Sequence, residues 1–312
     1  MTVKNGYLRS TGLGDSMSEH NFITYPSGEM RLGSFDYDDN SDDFKPAVIR
    51  YGVGFWEELI ALSSATNTRK GVLDLVIPYI PCARDDKPYD VSVSYGSSEW
   101  KEAFSVPNPP LNVVISMLKT MFPAVGKSEL GVGPQVYVLD PHTPVIKALW
   151  PEVTVLSKKD LFERSEEFAD WLSDFDSNTV ICIPDAGATK SVQELADAAS
   201  LDTVQILKKR DPKTGQLSDF KLFGNVKGKT VVVVDDICDG GGTFVGAAQL
   251  LKRSGAKDLH LYTTHGIYSR NLDCLLDYSS IRCFDTLIRP TSLTQTNTFK
   301  QFRVLELDGL TK

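Results

Sequence analysis

Residues 231–243 read VVVVDDICDGGGT and lead straight into the helical pattern FVGAAQLLKRSG. The valines make an apolar strand, and Asp235 and Asp236 emerge at its carboxyl end, where open α/β sheets bind ligands. Adjacent carboxylates suit the paired hydroxyls of a ribose, the plainer alternative being acids that merely cap a loop. Asp239 and the glycines Gly240, Gly241 and Gly242 let the backbone turn sharply and bring bare N–H groups onto an anion, and Thr243 adds a hydroxyl at the helix start. Backbone donors, helix dipole and hydroxyl together make a phosphate cup. Asp185 repeats the logic, following the apolar run 180–183 and preceding small residues. Such a sparse carboxylate suits magnesium, which takes few protein ligands and completes its shell with phosphates and water. Lys208, Lys209 and Arg210 cluster after the run 203–207, as a grip on phosphates or as a solvated strand end. His142 follows the run 135–139, where a metal-bound water or a phosphate could be met, although a lone histidine is more often a packing residue. His20 and His265 have no such setting, and His260 reads as structural.

A sheet must hold these groups. Strand patterns recur at 72–80, 135–139, 154–156, 180–183, 203–207, 230–235 and 259–263. Helical patterns fall between them at 56–64, 111–122, 144–150, 159–173, 191–198 and 243–253. In the pattern 159–173, Leu161, Phe168, Trp171 and Leu172 share one face. Strands apolar throughout, such as 231–234, are buried on both faces, as in a parallel sheet covered by helices, so the fold class is α/β. A boundary near Trp150–Pro151 separates a domain of residues 1–150 from one of 151–299. Residues 107–110, 126–133 and 211–219 read as exposed loops.

The 312 residues, 41% hydrophobic and 24% charged, are ample for a buried core. A net charge of −8 argues against a broad nucleic-acid face. No apolar run approaches the roughly 18 residues of a membrane span, and the first 20 residues lack a signal-peptide core. Five scattered cysteines without a C-x-x-C pair point to reduced thiols, hence to a cytoplasmic protein without a disulfide frame or zinc site. Three other patterns carry nothing. The acidic run 36–43 lacks the Gly and Glu of a calcium loop, having Ser41 and Ala47 there. The segment 224–230 (GNVKGKT) precedes a strand instead of following one, so it is no P-loop. Gly52 and Gly54 lack the third glycine of a dinucleotide fingerprint, Glu57 standing there.

The segment 231–243 resembles the ribose-5-phosphate loop of the type I phosphoribosyltransferase fold. Other segments narrow the resemblance to ribose-phosphate diphosphokinases (phosphoribosyl-diphosphate synthetases). Tyr25-Pro26-Ser27-Gly28-Glu29 resembles the segment that holds adenine from a neighbouring subunit, with Tyr25 against the ring and Glu29 accepting from the amino group. Residues 77–87 (IPYIPCARDDK) resemble the strand and loop whose arginine, here Arg84, contacts ATP. Residues 138–142 (VLDPH) resemble the segment with a metal-side histidine, here His142. Pro184-Asp185-Ala186-Gly187 is similar to the turn whose aspartate serves the magnesium site, and Lys208-Lys209-Arg210 to the start of the catalytic loop. These segments follow the family's order across nearly the whole chain.

The resemblance implies two tandem phosphoribosyltransferase-like domains, with residues 300–312 returning to complete the first. It implies a Mg²⁺-dependent transfer of a diphosphoryl group from ATP to the anomeric hydroxyl of ribose 5-phosphate, with Lys208 and Arg210 as catalytic cations. It also implies a homo-oligomer with ATP sites at subunit contacts, and no nucleic-acid or membrane partner. The chain departs from the family pattern at Gly240, where a Thr is usual, at Ser27, where an Asp is usual, and at Asp85-Asp86, where basic residues follow the arginine. The change at Gly240 keeps open a larger 5′ substituent, with ADP-ribose as acceptor in an NAD-rebuilding route. A non-catalytic paralogue that assembles with an active synthetase, and a plain phosphoribosyltransferase, complete the alternatives. The first tends to lose cations or ligands that are present here, and the second leaves residues 25–29 and 77–87 unexplained.

Overall fold

The computed structural model describes residues 20–24, 30–35, 47–49, 55–66, 74–94, 101–123, 125, 135–210, 217–270, 272–286, 302–307 and 310. The adenine-type segment with Tyr25, Ser27 and Glu29 lies outside them, as do the acidic run 36–43, Gly52 and Gly54, the loop 126–133 and most of the loop 211–219. The chain divides into two compact units, with Val155 in the first and Leu156 in the second. Among the described residues, no helix is long and apolar enough to cross a membrane.

The first unit holds an antiparallel hairpin of β1 (His20–Thr24) and β2 (Met30–Phe35), then β3 (Ala47–Val48), α1 (Phe55–Thr66) and β4 (Leu75–Ile77). A second hairpin, β5 (Tyr89–Ser94) with β6 (Lys101–Val106), is followed by α2 (Pro110–Met121), β7 (Val136–Leu139), α3 (Val145–Leu149) and β8 (Thr154–Leu156). The sheet runs β3-β4-β7-β8, with β3, β4 and β7 parallel. Helix α2 begins on Pro110, whose missing N–H costs nothing in the first turn. It buries Leu111, Val114, Ile115 and Leu118, one helical face, against a core that includes Leu75, Ile77, Val136 and Val138.

The second unit begins with α4 (Lys158–Arg164) and α5 (Glu166–Ser173), where the periodicity had read as one helix over 159–173. The physical reason for the break is Ser165, which closes α4 through its N–H to Leu161 O (3.0 Å) and caps α5, its hydroxyl accepting from Phe168 N–H at 3.3 Å. Leu161, Phe168 and Leu172 still face the core, and Phe168 stacks on Tyr262 at 4.3 Å between ring centroids. Then come β9 (Thr179–Ile183), a short 3₁₀ turn (Ala186–Ala188), α6 (Thr189–Ala198), β10 (Asp202–Arg210), β11 (Leu217–Phe223) and β12 (Thr230–Cys238). After α7 (Gly242–Arg253) follow β13 (Asp258–Gly266), β14 (Ser280–Cys283), β15 (Asp285–Thr286) and β16 (Phe302–Val304). The strand order is β11-β10-β9-β12-β13-β14-β16, with β15 on β13. Only β10 with β11 is antiparallel among the described pairs of this sheet.

The C-terminal segment corrects one expectation. Instead of returning to the first domain, β16 lies parallel to β14, with Ile281 opposite Phe302. Phe302 meets the Tyr268 ring edge-on, Leu305 and Leu307 are buried, and Arg303 pairs with Glu167 at 2.5 Å. Apolar burial and an ion pair thus fix the segment on the second unit.

Because Ser165 stops one helix and starts another, Ser165→Ala should cost about 1 kcal/mol of stability. Urea denaturation would show it, and an unchanged midpoint would assign the break to packing alone.

Candidate functional site

The second sheet reverses direction of growth between β9 and β12. From β9 the chain passes outward to β10, then returns to lay β12 on the opposite side of β9. The carboxyl ends of two strands diverge at such a switch point and leave a crevice for a ligand. The sequence candidates of this unit converge there. Val231–Val234 are at most 1% exposed, and Val233 pairs with Cys182, so β12 runs on through Asp235 and Asp236 to Cys238 after β9 has ended at Ile183. Asp185 follows β9 directly. Strand β10 is parallel to β9 with Gln205 opposite Ile183, so Lys208 to Arg210 extend beyond the end of β9, paired only with β11. The register shifts between Lys208 and Lys209. A bulge of this kind re-aims side chains at a sheet rim.

Asp185 caps the turn after β9, its Oδ1 accepting from Gly187 N–H (2.9 Å) and Ala188 N–H (3.2 Å). Asp236 N–H donates to Asp235 Oδ1 at 2.9 Å, and Ile237 N–H donates to Asp236 Oδ1 at 2.8 Å. Burial pushes the Asp235 carboxyl well above the usual range, helped by the charge of Asp236, a hydrogen bond between the two carboxyls and the charge of Asp185, while Lys158 pulls the other way. Lys158 itself is 2% exposed at the first position of α4, with Nζ 3.3 Å from Ser191 Oγ. A set of carboxylates that repel one another in a crevice is chemically suited to a divalent cation. Among the described residues, no three His, Cys, Asp or Glu side chains form a ready-made cage. That combination fits a magnesium ion shared with substrate phosphates better than a structural metal.

The glycine turn has the geometry its composition implies. Gly241 caps α7 with φ +74°, and a Cβ there would stand 2.8 Å from Cys274 Sγ, so both conformation and space demand glycine. At Gly242 an added Cβ would meet nothing within 4 Å. The ladder of α7 begins with Phe244 and Val245 N–H donating to Gly241 O, and the N–H groups ahead of these are those a helix offers to an anion. Thr243 is part-buried in the first turn.

In the first unit, Arg84 and His142 are exposed on the loops that follow the adjacent parallel strands β4 and β7, whose ends align Ile77 with Val138. Asp140, buried at φ +34°, makes the turn before His142, a conformation that Asp tolerates better than bulkier residues. His260 is structural, its Nδ1 2.8 Å from Ser280 Oγ within the sheet. Two residues escaped the sequence reading. Lys158 opens a helix rich in charge and carries no sign of being buried, and Arg270 is a lone cation in a loop without a motif. Arg270 lies beside Gly240, where a Cβ would stand 3.5 Å from its Nε.

Known proteins resemble this chain in sequence and in fold. The phosphoribosyl transferase domain family matches residues 155–286, which enclose the crevice. The chain is similar to the ribose-phosphate pyrophosphokinase of Mycoplasmopsis pulmonis, 30% identical over 177 residues, covering 56% of this chain and 53% of that one. It is 33% identical over 135 residues to that of Maricaulis maris, covering 42% and 43% respectively. The chain thus spans about half the length of the curated relatives it matches. The crystal structure of phosphoribosylpyrophosphate synthetase from Mycobacterium smegmatis has the same fold, with a TM-score of 0.61 over 93% of this chain and 86% of that one at 21% identity. These relatives bear out the family resemblance, and the fold bears out two α/β domains of phosphoribosyltransferase type.

Two expectations follow from the crevice. Gly241→Ala should cost about 1–2 kcal/mol in a denaturant titration through its left-handed φ. Adding Cys274→Ala should recover the packing part alone, and full recovery would show that the backbone is not strained. The second concerns pH. A folded carboxyl that keeps its proton above the ordinary aspartate value of 3.8 makes the native state bind more protons than the unfolded chain, so stability falls as pH rises from 3.8 through the folded value. Asp235→Asn should therefore lessen the fall in stability as pH rises above about 4. Parallel slopes in the two proteins would remove Asp235 as the cause.

Proposed function

We propose that this relative of the ribose-phosphate pyrophosphokinases transfers the β,γ-diphosphoryl group of ATP to the anomeric hydroxyl of ribose 5-phosphate. The anomeric oxygen attacks the β-phosphorus, the bond from that phosphorus to the bridging oxygen of the α-phosphate breaks, and AMP departs as the hydroxyl proton is released. One observation carries the reading: Asp185, the pair Asp235–Asp236, the glycine turn and the strand bearing Lys208 and Arg210 meet at the carboxyl ends of three adjacent strands. In that reading Asp235 and Asp236 hold the ribose hydroxyls, with Asp239 beside them. Gly240, Gly241, Gly242 and Thr243 hold the 5′-phosphate on the helix N-terminus. Lys208 and Arg210 neutralise charge that gathers on the phosphoryl oxygens, the kind of fixed electrostatic aid that dominates phosphoryl transfer.

The nucleotide belongs to residues of the first unit. Arg84 meets the ATP phosphates, and Tyr25, Ser27 and Glu29 hold adenine across a contact between copies of the chain, which makes the active form a homo-oligomer. Asp185 in the second unit and His142 in the first are each read as metal-side residues for Mg²⁺, which supplies charge neutralisation on the phosphates when bound. The missing side-chain hydroxyl at Gly240 favours a second reading, in which the acceptor is ADP-ribose and the product its 1-diphosphate.

Protein supplied with Mg²⁺ and ATP would be offered ribose 5-phosphate or ADP-ribose, with AMP quantified and the sugar product weighed. AMP with ribose 5-phosphate supports the first reading, and AMP with ADP-ribose alone supports the second. Silence with both favours a non-catalytic paralogue, and diphosphate release from a phosphoribosyl diphosphate would favour a transferase. Lys208→Ala and Arg210→Ala should each lower kcat by about 100-fold or more, with a smaller change in the KM for the sugar.

A further inference from the structure

The loop that follows β13 is fastened to the loop that follows β12. Ile267 and Tyr268 N–H both donate to Cys238 O, at 2.9 and 3.0 Å, and Ser269 N–H donates to Asp239 O at 3.2 Å. Tyr268 is 3% exposed and anchors the segment in the core, so Arg270, two residues on, is delivered beside the glycine turn by backbone bonds. Its side chain runs along Gly240, where an added Cβ would meet Nε at 3.5 Å, Cδ at 3.6 Å and Cγ at 3.9 Å. Among the described residues the Arg270 guanidinium has no ion-pair or hydrogen-bond partner, although Asp239 is one residue from Gly240. An exposed guanidinium held beside the glycine turn, with no partner among the described residues, is set for an anion. Residue 240 itself offers no side-chain donor, so the backbone N–H groups are its whole contribution to the cup.

We infer that Arg270 is a phosphate-binding residue for the 5′ side of the sugar, supplying from the β13 loop the side-chain donor that residue 240 lacks. The inference rests on the proposed reaction for its substrate. A guanidinium offers a planar fork that matches two phosphate oxygens, whereas a lysine offers only a point charge. Its place beside Gly240 also puts it where a larger 5′ substituent would have to be accommodated.

Three proteins test this: the wild type, Arg270→Gln and Arg270→Lys. Because Arg270 is exposed, equal thermal midpoints are the folding control. With ATP saturating, Arg270→Gln should raise the KM for ribose 5-phosphate about tenfold or more, with kcat changed less than about twofold and the KM for ATP unmoved. Arg270→Lys should recover part of that loss. Calorimetric titration with ribose 5-phosphate, without ATP, should show the same order of affinities. An unchanged sugar KM in Arg270→Gln, or a loss confined to ATP, overturns the inference while leaving the proposed reaction standing. If the wild type forms no AMP yet binds ribose 5-phosphate through Arg270, the reaction fails and the phosphate contact stands. If it does not bind the sugar phosphate, the inference is overturned as well.

Discussion

The site depends on carrying carboxylates to the end of a strand that is otherwise wholly apolar. Val231 to Val234 are covered on both faces, which fixes β12 at the middle of the sheet and leaves its carboxyl end as the one place where polar groups can leave the core. Asp235 is the first of them and is still partly desolvated there. Its raised proton affinity is the physical record of that position, since a charge near the core is disfavoured until something opposes it. Lys158 opposes it in part. A ligand hydroxyl or a shared cation near Asp235 would add to that compensation.

The neighbouring strands work to the same end. Strand β9 stops at Ile183, and its successor Asp185 is turned back onto its own N–H groups, which fixes one carboxylate oxygen and orients the other. Strand β10 overshoots β9 and continues only as a hairpin with β11, so Lys208 and Arg210 are carried on a two-stranded extension instead of the sheet body. A two-stranded ribbon is held by fewer contacts than a central strand and gives more readily. That division suits a reaction in which carboxylates must be fixed before the substrate arrives and cations must close over it afterwards.

Much of this was legible in the residues. Apolar runs named the central strands because full burial needs continuous Val and Ile, and the glycine turn named itself because Gly241 occupies a left-handed conformation against Cys274. The hairpins were not legible. Strands β5 and β6 (YDVSVS and KEAFSV) and β11 (LSDFKLF) mix polar residues into short runs, and their pairing partners, not their composition, make them strands. The break at Ser165 was hidden because Leu161 and Phe168 keep helical spacing across it. The fate of the C-terminal strand turned on Phe302 meeting Tyr268, a tertiary contact with no local signature.

The same limit explains why the two most informative cations were silent. Lys158 matters because α4 packs on α6 beside Asp235, and Arg270 because two loops share hydrogen bonds at Cys238 and Asp239. Neither fact is encoded within a few residues of the lysine or the arginine. A phosphate cup made mainly of backbone N–H groups is a general anion site, equally willing to take any phosphate that fits. Selectivity must then come from side chains reaching in from outside the turn, and the loop after β13 is positioned by its own backbone to bring one. On the proposed reading, dividing the work in this way would let the glycine turn keep the geometry that Gly241 enforces, while the side chain beside it answers to what hangs on the sugar.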